Sequence, residues 1–207
     1  MALPALARIS RRSWLLAGLV TPLLRAKAAV NLSVFFDGDN LRVAAPELHF
    51  LTGQPLNRLK DGNTVVYLSQ LTILGDKQGS SVFRKSPERV AVSYDLWEEK
   101  FRVSLGVSGR SSSRLTAAEA EAWCLDNLAI STLGLAPTKP FWLALDLRVM
   151  DQRGLSSVVG DPGISITGLI ELFGRKPGPG EPHWSLEAGP LRLSDVPRVR
   201  TRWTQKL

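Results

Sequence analysis

The chain has few of the residues that bind metals or form crosslinks. Its 207 residues include one cysteine and two histidines. A single cysteine cannot form an internal disulfide, and these counts exclude zinc fingers, cysteine-ligated clusters and sites with three histidine ligands. The sequence also lacks a glycine-rich phosphate loop and the G-x-S-x-G turn that carries a nucleophilic serine. We therefore expect neither a metal nor a cofactor.

Excess positive charge is absent from the middle of the chain. The formal net charge is +7, but residues 1–28 hold five basic residues and no acidic one, and residues 196–207 hold four basic residues and no acidic one. The segment between them carries 17 of the 26 basic residues and all 19 acidic residues. A nucleic-acid-binding domain spreads a basic face over its folded body. The distribution therefore excludes nucleic acid as the expected partner.

No hydrophobic run is long enough to cross a membrane as a permanent helix. The apolar stretch 14–24 is shorter than the roughly 20 residues that a bilayer requires. It follows a pair of arginines and precedes a small-x-small site, which is the pattern of a cleaved signal peptide. The residues of this pattern are Ser10, Arg11, Arg12, Trp14 and Leu15, followed by Ala26 and Ala28.

This N-terminal pattern resembles the twin-arginine export signal of bacteria. The resemblance implies cleavage after Ala28, transport by the export machinery and a periplasmic or otherwise extracytoplasmic location. The general secretory route and an uncleaved membrane anchor are the alternatives. With residues 1–28 removed, we expect a mature chain without a transmembrane span, made of one domain over 29–195 and a basic tail over 196–207.

Apolar residues alternate with polar ones over several segments, as in strands with one buried face. Segments 31–36 and 41–45 flank an Asp/Gly/Asn cluster and predict a hairpin. A second hairpin is predicted to turn at 97–100. Its expected pairs are Leu96 with Phe101, Tyr94 with Val103, Val92 with Leu105, and Val90 with Val107. Further strands are predicted over 64–74, 141–149 and 183–193.

Two or three segments have helical patterns. Residues 54–60 predict a short helix, and Thr116 with Glu119 forms the sequence of a capping box that begins a helix ending near Gly134. An apolar stripe over 164–175 predicts another helix, whereas 108–114 is predicted as a loop. The expected fold class is α+β, predominantly antiparallel β, with a sheet or sandwich of six to seven strands and one or two packed helices.

Three segments together resemble an uncharacterised family of exported bacterial β-rich domains. They are Leu59-Lys60-Asp61-Gly62 before a strand, the stretch from Val92 to Val103, and the helix Ile164–Arg175. The resemblance would cover most of the mature chain. It implies a β-rich fold, and it implies no activity and no functional residues, because its motifs are structural.

Few side chains are candidates for catalysis. On a strand, Glu47 and His49 would share a face and could share a proton or a metal; otherwise they are a partly exposed pair. His183 follows a Pro/Gly linker and is poorly placed for rigid catalysis. The acidic pairs at 98/99 and 119/121 have structural explanations, in a hairpin turn and near a helix start. Cys124 lies on the apolar stripe of its helix and is expected to be buried and inert.

Tryptophans and the basic tail are the candidate binding surface. Exposed tryptophans on sheets often serve binding, although packing beneath a helix is the alternative for them. A basic tail with interspersed apolar residues could lie on anionic lipid or be a solvated end. The residues concerned are Trp97, Trp142, Arg198, Arg200, Arg202 and Trp203. We expect an exported, non-catalytic module that binds an envelope protein or an anionic lipid surface. A small extracytoplasmic hydrolase with an unorthodox site and a lipid-binding envelope protein are the alternatives.

Overall fold

The structure is a computed structural model that describes residues 31–106, 108–150, 178 and 180–198. Within these ranges the chain forms nine strands and two helices. The strands are β1 (Ser33–Asp37), β2 (Asn40–Ala44), β3 (Val65–Leu74), β4 (Val82–Asp95), β5 (Lys100–Leu105), β6 (Ser111–Leu115), β7 (Ala129–Ser131), β8 (Phe141–Val149) and β9 (His183–Leu191). The helices are α1 (Gly53–Lys60) and α2 (Ala117–Asp126).

The strands form two antiparallel sheets. The larger sheet has six strands in the order β6-β5-β4-β3-β8-β9, and the smaller has three in the order β1-β2-β7. This architecture confirms the expected α+β class with predominantly antiparallel β structure. Neither helix in the described part of the chain is long and apolar enough to cross a membrane.

One hydrophobic core lies between the larger sheet and the elements that cover it. Alternate residues of β3, β5 and β8 point into this core, together with apolar residues of β2, β7, α1 and α2. Phe50 and Tyr67 form an edge-to-face aromatic pair in it, with ring centroids 5.0 Å apart. The central strand β3 is buried on both faces. Its odd-numbered residues enter this core, and Val66 and Leu68 are buried on the opposite face. The sequence pattern had indicated only the first of these faces.

The β4–β5 hairpin has the predicted faces but a different register. The structure pairs Tyr94 with Phe101 and Val90 with Leu105, which is a shift of two residues from the predicted pairs. A shift of two preserves the side-chain face, because successive residues of a strand point to opposite sides. The shift leaves Leu96 in the turn, where it is 56% exposed rather than paired with Phe101.

Two element boundaries differ from those predicted. The capping box of α2 is present, but the helix ends at Asp126 instead of continuing to Gly134. The chain then forms β7, which pairs with β2 and completes the smaller sheet. The stretch 111–115, predicted as part of a loop, is the edge strand β6 of the larger sheet. Pairing decides the structure in both places: β7 pairs with the distant strand β2, and β6 pairs with the preceding strand β5. Local composition does not report either pairing.

The described fold continues into the first residues of the basic tail. Val196 is buried, and the carbonyl oxygen of Pro197 accepts a 2.9 Å hydrogen bond from the N–H of Phe36 on β1. Arg198 forms a parallel β-bridge with Phe36. The predicted helix over 164–175 and the predicted signal over 1–28 lie outside the described residues.

Candidate functional site

Trp97 lies at the tip of the β4–β5 hairpin and is almost fully exposed. Its relative exposure is 96%, and the neighbouring Leu96 is 56% exposed. The turn beneath them is held by Asp95, whose Oδ1 accepts hydrogen bonds from the N–H groups of Trp97 (2.8 Å) and Glu98 (3.0 Å). These bonds to Glu98 and Trp97 lower the pKa of Asp95, because they stabilise its ionised form.

The hairpin tip is also tied to the neighbouring edge strand. Arg114 on β6 makes an ion pair with Glu98, with 3.3 Å between Nε and Oε2. Glu99 completes the turn in the left-handed region, with φ of 53°. An aromatic side chain presented on a turn fixed in this way loses little conformational entropy when it binds a partner.

Trp142 is half-buried. In the described part of the chain, no helix lies over it. Its indole packs against the backbone of Gly189 on the neighbouring strand β9: a Cβ placed on this glycine would lie 2.7 Å from Cγ of the indole. Lys77, Glu187 and Pro190 complete an open pocket of about 350 Å³ beside the ring. Trp142 therefore packs within the sheet, and its remaining surface faces this pocket.

The histidine and the acidic residue that the structure brings together are not the predicted pair. His49 lies outside the strands, and its Nδ1 is 2.9 Å from Oε2 of Glu121 on α2. The hypothesis that Glu47 and His49 share the face of a strand is therefore wrong, because residues 45–52 form no strand. Glu121 also has a different role from the predicted one, since it accepts hydrogen bonds inside the fold instead of serving the helix dipole.

Glu121 is a buried carboxylate that fastens an irregular segment to α2. Its side chain is 6% exposed, whereas that of His49 is 61% exposed. Oε1 of Glu121 accepts a 2.7 Å hydrogen bond from the backbone N–H of Leu51, and Oε2 contacts the His49 ring. A buried carboxylate needs such partners because removing it from water is costly.

The charge of Glu121 acts on buried groups around it. Burial and, to a smaller extent, the negative charge of Glu121 together raise the pKa of the Cys124 thiol to about 12. Burial also raises the pKa of Tyr67, with smaller contributions from Cys124 and Glu121. The structure confirms that Cys124 is buried, and its inertness stays a prediction.

A groove of about 160 Å³ lies between α2 and the segment that follows β2. Glu121 and Asp126 are its acidic residues, and burial raises the pKa of Asp126. The groove is otherwise lined by His49 and by small or aliphatic side chains from both walls. These are Ala44, Ala45, Pro46, Leu48, Ala118, Ala122 and Leu125.

The groove has a histidine–carboxylate pair among its described lining residues. None of them carries a hydroxyl, thiol or amine. The Tyr67 hydroxyl is buried and donates to the carbonyl oxygen of Phe50, at 3.3 Å. In the described part of the chain, no three His, Cys, Asp or Glu residues are grouped so as to hold a metal ion. The arrangement can hold a proton or a cation.

Comparison with known proteins gives no relative from which a role could be transferred. The chain matches no family model, no curated protein and no solved structure. The assignment of function therefore depends on the surfaces and side chains described above.

The remaining sequence-predicted residues are dispersed. His183 begins β9 opposite Arg148, is exposed, and its Nδ1 lies 3.3 Å from the carbonyl oxygen of Glu181. Arg198 is at the bridge to β1. The export-signal residues, Ala26, Ala28, Arg200, Arg202 and Trp203 lie outside the described residues.

Glu121 is the functional candidate that sequence reasoning missed. A signal for it exists in the spacing, because position 121 falls four residues after Ala117 and three before Cys124 on the apolar stripe of α2. An acidic residue on the buried face of a helix needs a partner. The identity of that partner, 72 residues earlier in the chain, is not readable from the sequence.

Proposed function

We propose that this protein is an exported, non-catalytic binding module of the bacterial cell envelope, and that it engages an envelope protein through the tip of its β4–β5 hairpin. The observation that carries the proposal is the 96% exposure of Trp97 on a turn held by hydrogen bonds and an ion pair. Leu96 beside it extends the apolar surface of the tip.

Trp97 at the hairpin tip makes no contribution to the core that would explain a tryptophan there. Tryptophan is the side chain most enriched among residues that dominate binding energy, and such residues act by filling apolar pockets of a partner. A hairpin that projects beyond its sheet suits insertion into a concave socket. We infer that the socket is apolar and large enough for an indole.

The charges around the tip favour a protein over an anionic lipid surface. Acidic side chains Asp95, Glu98 and Glu99 are mixed with Lys100 and with Arg114. Adhesion to anionic lipid requires a cluster of basic residues, because each contributes only about 1 kcal/mol near the surface. A protein socket with a mixed polar rim fits this arrangement better.

Export is the second part of the proposal, and it rests on the sequence. The paired arginines, the short apolar stretch and the small-x-small site over 10–28 support a signal peptide. The near balance of acidic and basic residues between this segment and the tail supports a partner recognised by shape and apolar contact rather than by charge.

The test uses a photo-crosslinking amino acid at position 97 in the full chain, produced in a bacterial host. The control places the same amino acid at position 133, because Leu133 is also highly exposed, at 76%, and lies outside the hairpin. We expect a discrete envelope-protein adduct from position 97 only, and competition by excess unlabelled protein but not by its Trp97→Ala variant.

The adduct partner is then identified by mass spectrometry, purified and titrated with the unmodified protein. Trp97→Ala is expected to weaken binding about 30-fold or more, the effect of removing a dominant tryptophan, whereas Leu133→Ala leaves it unchanged. Equal crosslinking from both positions, or equal affinity of both variants, would contradict the assignment of the tip as the binding surface.

A further inference from the structure

The groove between α2 and the segment after β2 has the properties of a site for a small organic cation. We propose that it binds a primary ammonium ion with an apolar body of about benzene size, and that Glu121 is the group that receives the ammonium. This site is separate from the hairpin tip, and the inference does not depend on the proposed function.

The first reason is the charge of the groove. Glu121 and Asp126 both line it, and His49 is the one basic side chain among its described lining residues. The side chain of Glu121 is 6% exposed. A carboxylate at this depth is stabilised by any cation that reaches it, and a cationic ligand supplies such a charge.

The second reason is the hydrogen-bonding capacity of Glu121. Oε1 accepts a bond from the Leu51 N–H and Oε2 contacts Nδ1 of His49. A carboxylate has about four acceptor positions, so two partners leave room for the N–H groups of an ammonium ion. Charge-assisted hydrogen bonds of this kind are shorter and stronger than neutral ones.

The third reason is the apolar remainder of the groove. The methyl groups of Ala44, Ala45, Ala118 and Ala122 and the side chains of Leu48 and Leu125 surround the acidic end. A cavity of about 150 Å³ holds one benzene molecule in other proteins, and this groove measures about 160 Å³. An apolar body with one cationic end therefore matches both its size and its polarity.

The test compares three probes of the same shape and different charge against the purified chain by calorimetry. They are benzylammonium, benzyl alcohol and benzoate. We expect benzylammonium to bind about tenfold or more tightly than benzyl alcohol, because only the cation makes a charge-assisted bond. Benzoate is expected not to bind. In an NMR titration, the shifts caused by benzylammonium should centre on the methyl signals of Ala118 and Ala122.

Two variants locate the site. Glu121→Gln keeps the shape of the side chain and is expected to abolish the preference for the cation. Ala122→Leu fills the groove from an exposed helix position without touching a hydrogen bond, and it is expected to abolish binding of both probes. If Glu121→Gln does not fold, Ala122→Leu still decides the location.

Three results would overturn the proposal: no binding of benzylammonium, equal affinity for the alcohol, or unchanged benzylammonium binding by Ala122→Leu. The variant Leu133→Ala serves as the matched control, because Leu133 is exposed and does not line the groove, and it should bind benzylammonium like the unmodified protein. Failure at the groove thus leaves the crosslinking test of the hairpin tip unaffected, and failure at the tip leaves the groove unaffected.

Discussion

At the scale of single residues, the buried carboxylate of Glu121 holds one irregular segment against the core. Glu121 accepts the Leu51 N–H, which belongs to a segment with no strand or helix partner of its own. A backbone N–H in this buried position needs an acceptor, because leaving it unpaired forfeits its hydration without replacement. The carboxylate is therefore a structural acceptor as well as the proposed ligand group.

Replacing Glu121 by alanine is expected to lower the free energy of unfolding by about 1–3 kcal/mol, the cost of leaving a buried donor unsatisfied. Glu121→Gln should cost less, since its amide oxygen can still accept from Leu51. Urea denaturation followed by circular dichroism measures both. An alanine variant as stable as the original protein, or a glutamine variant that loses more, would show that Glu121 is not the acceptor that stabilises this segment.

At the scale of elements, the start of α2 is defined by a reciprocal pair of hydrogen bonds. The Thr116 hydroxyl accepts from the Glu119 N–H at 3.3 Å, and the Glu119 carboxylate accepts from the Thr116 N–H at 2.8 Å. Two of the free donors at the helix start are satisfied in this way. The bonds from Thr116 hold the pKa of Glu119 below its ordinary value.

Thr116→Ala is expected to lower the free energy of unfolding by about 1 kcal/mol in urea denaturation. Thr116→Ser should keep most of the stability of the parent, because serine retains the capping oxygen.

The contribution of Glu119 to stability has a predicted pH dependence. A carboxylate with a lowered pKa in the folded state stabilises at neutral pH and loses this effect as the pH falls through that pKa. The free energies of unfolding of the parent and Glu119→Gln, measured by urea titration, should therefore differ more at pH 7 than at pH 3. Equal differences at both pH values would contradict this role.

Local patterns determine the faces of these elements better than their ends or partners. Alternation placed Val90, Val92, Phe101 and Val103 on the core side, and the structure agrees. It could not choose between registers two residues apart, because both bury the same face. In the observed register, Oδ1 of Asp95 accepts hydrogen bonds from two N–H groups of the turn, which favours this register.

The two candidate sites, the hairpin tip and the groove beside α2, differ in how far the sequence predicts them. Trp97 was predictable because exposure follows from its position in a turn next to charged residues. The Glu121–His49 contact joins residues 72 positions apart and depends on how α2 packs against β2. No local signal encodes such packing, although an acidic residue on an apolar stripe indicates that a partner must exist.

At the scale of the whole molecule, the excess positive charge is concentrated at the two ends of the chain. The formal net charge of +7 falls to +2 when the five basic residues of 1–28 are removed, and four further basic residues lie in 196–207. The body that remains has almost balanced charge. Under the proposed function, recognition relies on apolar contacts, and the N-terminal charges serve another purpose, which we propose is export.

This proposal predicts the mass of the protein recovered from a bacterial envelope fraction. When the full chain is produced with its own N-terminus, intact-mass spectrometry should give a product that begins at Ala29, because a signal peptidase cuts after the small-x-small site. Replacing Arg11 and Arg12 together by lysine should cause uncleaved protein to accumulate in the cytoplasm, since lysine keeps the charge but not the arginine pair. Arg8→Lys is the matched control and should leave processing unchanged. Full-length protein in the cytoplasm of cells producing the unmodified chain would contradict export itself, whereas normal processing of the double variant would contradict only the twin-arginine route.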